Sequence, residues 1–434
     1  MCEHRGQAIY NLAQKIFPYC RSITGEGVRC TLVDLKEYVE QDSDVTFNIF
    51  AVPSGTPVFD WTVPKEWRIR EAYIKDEVGN RIVDMQKNNL HVMGYSTPVD
   101  RWVNLEELKQ YIYTESSQAD VIPYVTSYYK ERYGFCMSEC QKNALAHGQY
   151  HMYIDSDLFD GVLNYAEVVI PGECEQEIFF STYICHPSMA NNECSGPALA
   201  AELIRYIASM VHRRYTYRFI FIPETIGAIT YMSVGDHLAH MKKTMLAGFN
   251  LSCVGDNRDY SIVESKYADT LADRVLKNVL RYQAKTYSTY SFLKRGSDER
   301  QYNAPGIDLP VVCYCRSKFG EYPEYHTSAD DMSLISPEGF QGSYDVMTQV
   351  IRTLEHNMKY KVEVLGEPQL GKRGLYPTIS RKGTYDEVIS MVDFIAYADG
   401  KNDLINISDR IGVSTICLIP LVKKLLKNHL VSYE

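Results

Sequence analysis

Alternation of apolar strands with amphipathic helices, beginning near residue 177, is the feature that most constrains the fold of this chain. Residues 177–185 form an almost continuous apolar run, as expected for a strand buried on both faces. A helix is predicted over 196–211, and further buried strands are predicted at 218–222, 245–253 and 309–314. This order predicts an α/β sheet with helices on both of its faces.

The segments before this region have a different composition. Residues 7–40 predict two helices that are separated by a polar break, Arg21-Ser22-Ile23-Thr24-Gly25-Glu26-Gly27. From about residue 45, β-branched and aromatic residues dominate, and the runs at 47–50, 67–74 and 90–95 predict short strands. Residues 76–80 end in Gly79-Asn80 and predict a hairpin turn. We therefore predict a small all-β module over about 55–135.

The C-terminal part predicts a separate helical module. Residues 367–383 are rich in Gly, Pro, Lys and Arg and are typical of a linker. Three short helices are predicted beyond it, at 385–398, 403–411 and 414–428. The stretch 405–414 is typical of a helix-turn-helix.

Composition excludes several classes of protein. The 434 residues carry 45 Lys+Arg and 55 Asp+Glu, and the net charge of −10 disfavours nucleic acid or an anionic membrane as the main partner. There is no apolar window of the roughly 18 residues needed to cross a bilayer, and the N-terminus lacks the apolar core of a signal peptide. The 12 cysteines form no CxxC pair, and most of them are expected to be reduced and buried. We expect a cytoplasmic protein of two to four domains.

Polar segments follow the predicted strands, where the ligand sites of α/β sheets gather. His186 comes just after a buried strand and before a helix, and it is either a metal ligand or a hydrogen-bonded structural residue. Glu224 directly follows the strand at 218–222. It suits a general base, but it would equally suit a solvated strand end or a helix cap.

Two later segments extend this set. His326 follows the strand at 309–314 and is a second candidate metal ligand, while Asp330 would cap the turn or hold the loop of His326. The charges at 295–302 would either bind a substrate or form a surface ion-pair cluster of little consequence.

Taken together, these segments resemble the zinc-dependent aminopeptidase fold. The motifs are at 186–196, 223–227, 297–299 and 326–330. The resemblance is strongest to a bacterial branch of aminopeptidase-like proteins, to which 21–25, 122–130 and 134–136 are also similar. In that branch a small β-sandwich, like a jelly roll, is inserted into the peptidase domain and a winged helix follows it.

The resemblance implies a division of the chain into three domains. An α/β domain with a mixed sheet would comprise 1–54 and 136–366, an inserted β-sandwich 55–135, and a winged helix-turn-helix 367–434. By motif, His186 and His326 match the first and last metal ligands of the wider family, and Glu224 matches its general base.

Three positions depart from the wider family. Asn192 stands in place of an Asp that bridges two metals, Thr225 in place of a second Glu, and the later Asp falls near Ser252. The last two departures are typical of the branch and imply one zinc ion rather than two. Asn192 is a neutral and weaker donor than a carboxylate, so zinc affinity is expected to fall unless Glu193 substitutes as a ligand.

The implied function is a metal-assisted hydrolase of aminopeptidase type, acting on an amide bond at the end of a small peptide-like substrate. Among the charged residues, Asp298 would bind a substrate amine and Arg300 a substrate carboxylate, with Glu299 between them. Two alternatives stay open: an impaired pseudoenzyme that binds a peptide- or sugar-linked ligand, and a DNA-binding regulator. Residues 367–434 carry nine Lys/Arg and eight Asp/Glu, which favours formation of a homo-oligomer or shaping of the substrate cleft over DNA binding.

Overall fold

The computed structural model describes residues 5–41, 43–376 and 386–433. They belong to two units, one comprising residues up to 268 with 288–344 and the other comprising 269–287 with the residues from 345 onward. The helices are α1 Arg5–Ile16, α2 Glu26–Glu40, α3 Leu105–Leu108, α4 Glu139–Asn143, α5 Ser195–Ala208, α6 Ile226–Ser233, α7 His237–Thr244, α8 Leu271–Gln283, α9 Glu299–Tyr302, α10 Pro337–His356, α11 Asp386–Tyr397, α12 Leu404–Ile411 and α13 Thr415–Lys427. The strands are β1 Asn48–Pro53, β2 Pro57–Val58, β3 Trp61–Thr62, β4 Glu66–Asp76, β5 Arg81–Asp84, β6 Val99–Asn104, β7 Ile112–Tyr113, β8 Phe135–Cys136, β9 Gln149–Phe159, β10 Val162–Ile170, β11 Glu177–Tyr183, β12 Thr216–Ile222, β13 Met245–Leu251, β14 Ser261–Val263, β15 Ser288–Tyr290, β16 Val311–Cys315, β17 Lys359–Val362, β18 Asp399–Asp403 and β19 Val431–Tyr433.

The first unit is built on an eight-stranded mixed sheet with the order β1-β10-β12-β11-β13-β16-β14-β15. Its central strands β12, β11, β13 and β16 are mutually parallel, and β10 and β14 flank them in the antiparallel direction. The register places Phe180 of β11 between Phe219 and Phe249, with ring centroids 4.6 and 5.4 Å away. The four buried strands predicted after residue 177 are thus confirmed, as is the helix that follows the first of them.

This topology determines where polar residues meet. Every residue of β11 and β16 is buried, so these strands offer no surface for a ligand along their length. Because the four central strands are parallel, their carboxyl ends lie along one edge of the sheet. The loops that carry His186, Glu224 and Ser252 leave this same edge.

A four-stranded antiparallel sheet, in the order β5-β4-β9-β6, accounts for the β-rich segment of the first unit. The predicted hairpin joins β4 to β5, with Gly79 at φ 93° in the turn. The strand predicted at 90–95 is wrong. A 3₁₀ helix, Asn89–His91, begins there because the Asn88 side chain accepts a hydrogen bond from the Leu90 amide at 2.9 Å. The sheet includes β9, which lies beyond residue 135, and the inserted sandwich over 55–135 stays a prediction.

The three helices predicted near the C-terminus are confirmed as α11, α12 and α13, with a three-stranded sheet of order β18-β17-β19. Helices α12 and α13 cross at 114° after a turn in which Gly412 adopts φ 69°. This is the geometry of a helix-turn-helix. Of the linker predicted at 367–383, residues 377–383 lie outside the described residues.

Within the described ranges, no single helix is long and apolar enough to cross a membrane. Helices α12 and α13 meet that requirement only as a pair, which is bent by 114°.

Candidate functional site

His186 follows β11 and is oriented by a buried carboxylate. Its Nδ1 and its backbone amide both lie near Oε2 of Glu193, at 3.1 and 2.9 Å. An ionised carboxylate only accepts hydrogen bonds, so Nδ1 is the donor, and Nε2 has a free lone pair when the ring is neutral. That nitrogen lies 3.7 Å from Oε2 of Glu224. Burial disfavours the charged ring, but the hydrogen bond to Glu193 and the charge of Glu224 outweigh it and raise the pKa of His186.

Arg21 also belongs to this site. The sequence placed it in segment 21–25, which resembles the bacterial aminopeptidase-like branch, but predicted no role for it. Its side chain is buried, and its Nε lies 3.1 Å from Oε1 of Glu193 and 2.8 Å from the carbonyl oxygen of His186. Arg21 therefore supports both the carboxylate and the backbone that orient the histidine. No local pattern could have shown this, because 165 residues separate Arg21 from His186.

His326 faces His186, with the two ring centroids 5.3 Å apart. Tyr325 stacks on its ring at 3.8 Å, and Tyr124 meets it edge-on at 5.1 Å. Burial, with a smaller effect of His186, lowers the pKa of His326 to about 3. The ring is therefore neutral at physiological pH, and its buried Nε2 has no hydrogen-bond partner among the described residues.

Glu224 is held by the turn that follows β12. Its side chain is 22% exposed, and its amide donates to Sγ of Cys185 at 3.2 Å. Thr225 adopts φ 65°, a strained value for a β-branched residue. Two contacts maintain it: its amide donates to Oδ1 of Asp298 at 2.7 Å, and Arg300 donates to its hydroxyl oxygen.

The three charged residues predicted to bind substrate differ in position. Asp298 and Glu299 are fully buried and do not line the cavity, whereas Arg300 does. Glu299 accepts hydrogen bonds from the Gly296 and Ser297 amides at 2.8 and 3.3 Å. Burial, together with the charge of Glu224, raises the pKa of Asp298 well above its ordinary value. Asp298 accepts a backbone amide, Glu299 also accepts the Asn250 side chain at 3.4 Å, and Arg300 donates to the Thr225 hydroxyl. Substrate contact of all three stays a prediction.

Asn192 lies in a buried turn that Asp330 holds. Its amide and that of Asn191 donate to the two oxygens of Asp330, at 3.0 and 2.6 Å. The side-chain oxygen of Asn192 accepts a hydrogen bond from the Tyr183 hydroxyl at 3.0 Å. Burial raises the pKa of Asp330 to about 6.

A cavity of about 300 Å³ joins these elements in the first unit. Its polar wall contains His186, His326, Glu224 and Arg300. The remaining lining is largely aromatic and aliphatic: Ile23, Trp61, Tyr124, Thr126, Tyr128, Tyr129, Cys185, Thr225 and Ile226. The sequence-predicted base and both predicted histidines are thus brought to one cavity, while Asn192 and Glu193 lie behind its wall.

The residues present fit one divalent metal ion. Two imidazoles that share a tetrahedral zinc ion at ~2.1 Å have ring centroids roughly 5 Å apart, as His186 and His326 do. The unpartnered Nε2 of His326 also suits a ligand atom. Among the described residues, Cys185, His186 and Glu193 form the one group of three whose possible ligand atoms all lie within 4.8 Å of one another, and it does not include His326. Glu193, however, is engaged by Arg21, and burial raises the pKa of Cys185 so that its thiol keeps its proton.

Comparison with known proteins supports the fold deduced from these elements. Residues 10–357 match the family described as a domain of unknown function, DUF4910, and 358–433 match the winged helix-turn-helix family HTH_47. A Clostridium acetobutylicum protein, named as a candidate polysaccharide biosynthesis protein with an aminopeptidase-like domain, is 42% identical over 411 residues, which cover 94% of this chain and 92% of that protein.

Solved structures are similar along most of the chain. The crystal structure of a candidate peptidase from C. acetobutylicum has a TM-score of 0.92 at 39% identity, covering 99% of this chain and 96% of that one. BSAP, a zinc aminopeptidase from Bacillus subtilis, has a TM-score of 0.58 at 15% identity, covering 81% and 94%, and shares the fold. The chain therefore belongs to the DUF4910 family, with an aminopeptidase-like α/β fold followed by a C-terminal winged helix-turn-helix domain.

Proposed function

We propose that this protein is a one-zinc hydrolase that cleaves an amide bond at the end of a small substrate. The observation that carries this proposal is the convergence of His186, His326 and Glu224 on one cavity. Zinc, when bound, polarises a substrate carbonyl and lowers the pKa of a bound water. The aminopeptidase-like fold of its relatives is consistent with this chemistry but carries no substrate with it.

The residues of this chain have separable roles in the proposal. His186 and His326 would hold the ion through their Nε2 atoms. Asn192 lies outside the cavity lining and would have to release the Tyr183 hydroxyl to offer its neutral oxygen as a third ligand. Glu193 binds Nδ1 of His186, which suits a carboxylate that orients a ligand better than one that coordinates the metal. Glu224 reaches the cavity with a partly exposed carboxylate and would accept a proton and return it.

Zinc binding tests the ligand assignment. We expect the protein to take up about one zinc per chain on reconstitution, and His326→Gln to retain less than about 0.1. His212→Gln is the matched control because that side chain is 86% exposed and remote from the cavity wall. Mass spectrometry of the metal content makes the comparison, and wild-type protein that takes up no zinc would end the proposal.

Hydrolysis tests the role of Glu224. Removing a general base lowers a rate by about 10²–10⁴-fold, so Glu224→Gln should bind zinc normally and lose at least about 100-fold in activity. Activity is measured on a panel of aminoacyl and acyl p-nitroanilides with zinc-loaded protein. Equal rates for the variant and the wild type would remove Glu224 from the chemistry.

Asn192 supports a second candidate function, an impaired site that binds a peptide- or sugar-linked ligand without cleaving it. Its oxygen is neutral and already accepts the Tyr183 hydroxyl, so it adds little to metal affinity. We expect Asn192→Asp to raise zinc affinity by about tenfold or more. A parallel rise in hydrolysis from an undetectable level would favour the impaired site, whereas wild-type hydrolysis favours the enzyme. The name of the C. acetobutylicum relative makes sugar-linked amides a class to include among the substrates tried.

We propose that the winged helix-turn-helix domain acts in self-association. Residues 367–434 net about +1, which is weak for phosphate contacts along DNA. Sedimentation of the full chain should reveal an oligomer, and a salt-dependent gel shift with DNA would reverse this assignment.

A further inference from the structure

Arg300 has an unusual position for a cation, because it lies in the wall of the cavity that contains the two histidines. It also lines a neighbouring cavity of about 700 Å³, so its side chain forms part of the wall of two open spaces. One of its terminal nitrogens donates to the hydroxyl oxygen of Thr225. Its Nε is buried and has no hydrogen-bond partner among the described residues.

The charge of Arg300 is not neutralised by a direct ion pair. Among residues 5–41, 43–376 and 386–433, no carboxylate oxygen lies within the 4.0 Å of an ion pair with its guanidinium. The charge of Arg300 lowers the pKa of Asp298, although burial raises that pKa overall, and the bonded oxygen of Asp298 accepts the Thr225 amide rather than the guanidinium. Burying part of a cation without a partner is costly, so an anionic ligand would be favoured at this position.

The same wall is poorly suited to a substrate amine. Glu224 is the single carboxylate among the residues that line the cavity, and the proposed function uses it for proton transfer. Asp298 and Glu299 are both fully buried outside that lining. An ammonium group would therefore meet the positive Arg300 without a dedicated counter-ion.

We propose that this cavity recognises a substrate through a carboxylate bound by Arg300, rather than through a free amino terminus. The inference rests on the proposed hydrolase function, and it makes the substrate an amide that also carries an acid group, such as an N-acylated amino acid. One guanidinium matches one carboxylate in charge and in bidentate geometry, which favours a carboxylate over a doubly charged phosphate.

The aromatic part of the lining indicates what accompanies the carboxylate. Trp61 and Tyr129 are 42% and 55% exposed, and their ring centroids are 5.9 Å apart. They lie in the same cavity as the half-buried Tyr124 and Tyr128. A ring on the substrate would cover these exposed faces.

The test uses three small ligands that share a phenyl ring and cannot be hydrolysed at an amide: 3-phenylpropanoate, 3-phenylpropylamine and phenyl phosphate. Their binding to the full chain, loaded with zinc, is measured by isothermal titration calorimetry. We expect 3-phenylpropanoate to bind at least about tenfold more tightly than the amine. Arg300→Gln should remove that preference, and Arg300→Lys should retain part of it because it keeps the charge but loses the planar fork.

Arg295→Gln is the matched control, since Arg295 is exposed and does not line the 300 Å³ cavity. It should leave the affinity for all three ligands unchanged. The inference is overturned if the amine binds more tightly, if 3-phenylpropanoate shows no binding at about 10 mM, or if Arg300→Gln leaves its affinity unchanged. If phenyl phosphate binds more tightly than 3-phenylpropanoate, Arg300 recognises a phosphate group rather than a carboxylate, and the inference is also overturned.

These outcomes are separable from the fate of the proposed function. Selective carboxylate binding without zinc uptake or hydrolysis would end the hydrolase proposal and leave Arg300 as the anion site of a binding protein. Zinc-dependent cleavage of substrates with a free amine, combined with tighter binding of 3-phenylpropylamine, would uphold the hydrolase and reject the role of Arg300.

Discussion

At the scale of individual side chains, the candidate site depends on a buried ion pair, Arg21 with Glu193, as well as on the residues that line the cavity. Arg21 and Glu193 are both about 1% exposed, and Glu193 in turn binds two nitrogens of His186. A buried pair of this kind contributes little net stability, but removing one member leaves an uncompensated charge. The ion pair matters here because it holds Glu193 beside Nδ1 of His186. With Nδ1 engaged by Glu193, Nε2 is the nitrogen that faces the cavity.

We predict that Glu193→Gln weakens zinc binding by about 10–100-fold, the usual cost of losing a carboxylate that orients a histidine ligand. Affinity is measured by competition with a chromophoric chelator. Glu202→Gln is the control, because Glu202 is an equally buried glutamate that pairs with Arg5 and Tyr38 away from the cavity. If both variants bind zinc like the wild type, Glu193 does not orient a ligand.

Among helices and strands, the junction between β12 and α6 is where backbone strain meets the chemistry. Thr225 has a positive φ, and the carboxyl of Asp298, at the start of α9, accepts its amide. The strained conformation persists because a hydrogen bond to an element distant in sequence holds Thr225 in place. Glu224, one residue earlier, is thereby held at the cavity wall.

We predict that Asp298→Ala destabilises the fold by about 1–3 kcal/mol, since it leaves the Thr225 amide without its acceptor. Asp298→Asn should cost much less, because the raised pKa of Asp298 favours a neutral group that an amide can replace. Urea unfolding at neutral pH compares the two variants. Equal losses for both would show that the charge of Asp298, rather than its acceptor oxygen, stabilises the turn.

At the scale of the whole chain, we expect the free energy of unfolding to depend on pH. The group responsible lies at the edge of the large sheet opposite the candidate site. Glu177 begins β11, is 2% exposed, and accepts two hydrogen bonds from Arg218 at 2.7 and 2.8 Å. Burial alone would raise its pKa, but the bonds and charge of Arg218 outweigh this, and the pKa is lowered. A lowered pKa stabilises the fold above the unfolded value of about 4.3 and loses that contribution as pH falls through the folded value.

We predict that Glu177→Gln lowers the free energy of unfolding by about 2 kcal/mol at pH 7, and that the difference from wild type shrinks below about pH 4.5. Glu175→Gln is the control, since Glu175 is 86% exposed and lies 3.6 Å from an exposed lysine. Denaturant titrations at several pH values give the comparison. A difference that is constant with pH would exclude the ionised Glu177 as its source.

The local sequence pattern was sufficient to predict the strands at the centre of the large sheet. The buried strands β11, β12, β13 and β16 were predictable because each is a short apolar run bounded by polar residues. The 3₁₀ helix Asn89–His91 was not predictable, because its start depends on one capping hydrogen bond, which the Leu90 amide donates to the Asn88 side chain.

The amino-acid sequence alone therefore determined the alternating α/β framework. It also identified His186, Glu224 and His326 as candidate site residues, since each lies in a segment that follows a predicted strand. What tertiary structure decided was which groups surround them. Arg21 reaches the site from the segment between α1 and α2, Tyr124 from the β-rich segment, and Arg300 from α9. Distances along the chain contain no information on such contacts, because side chains from separate segments become neighbours only when the sheet brings its loops to one edge.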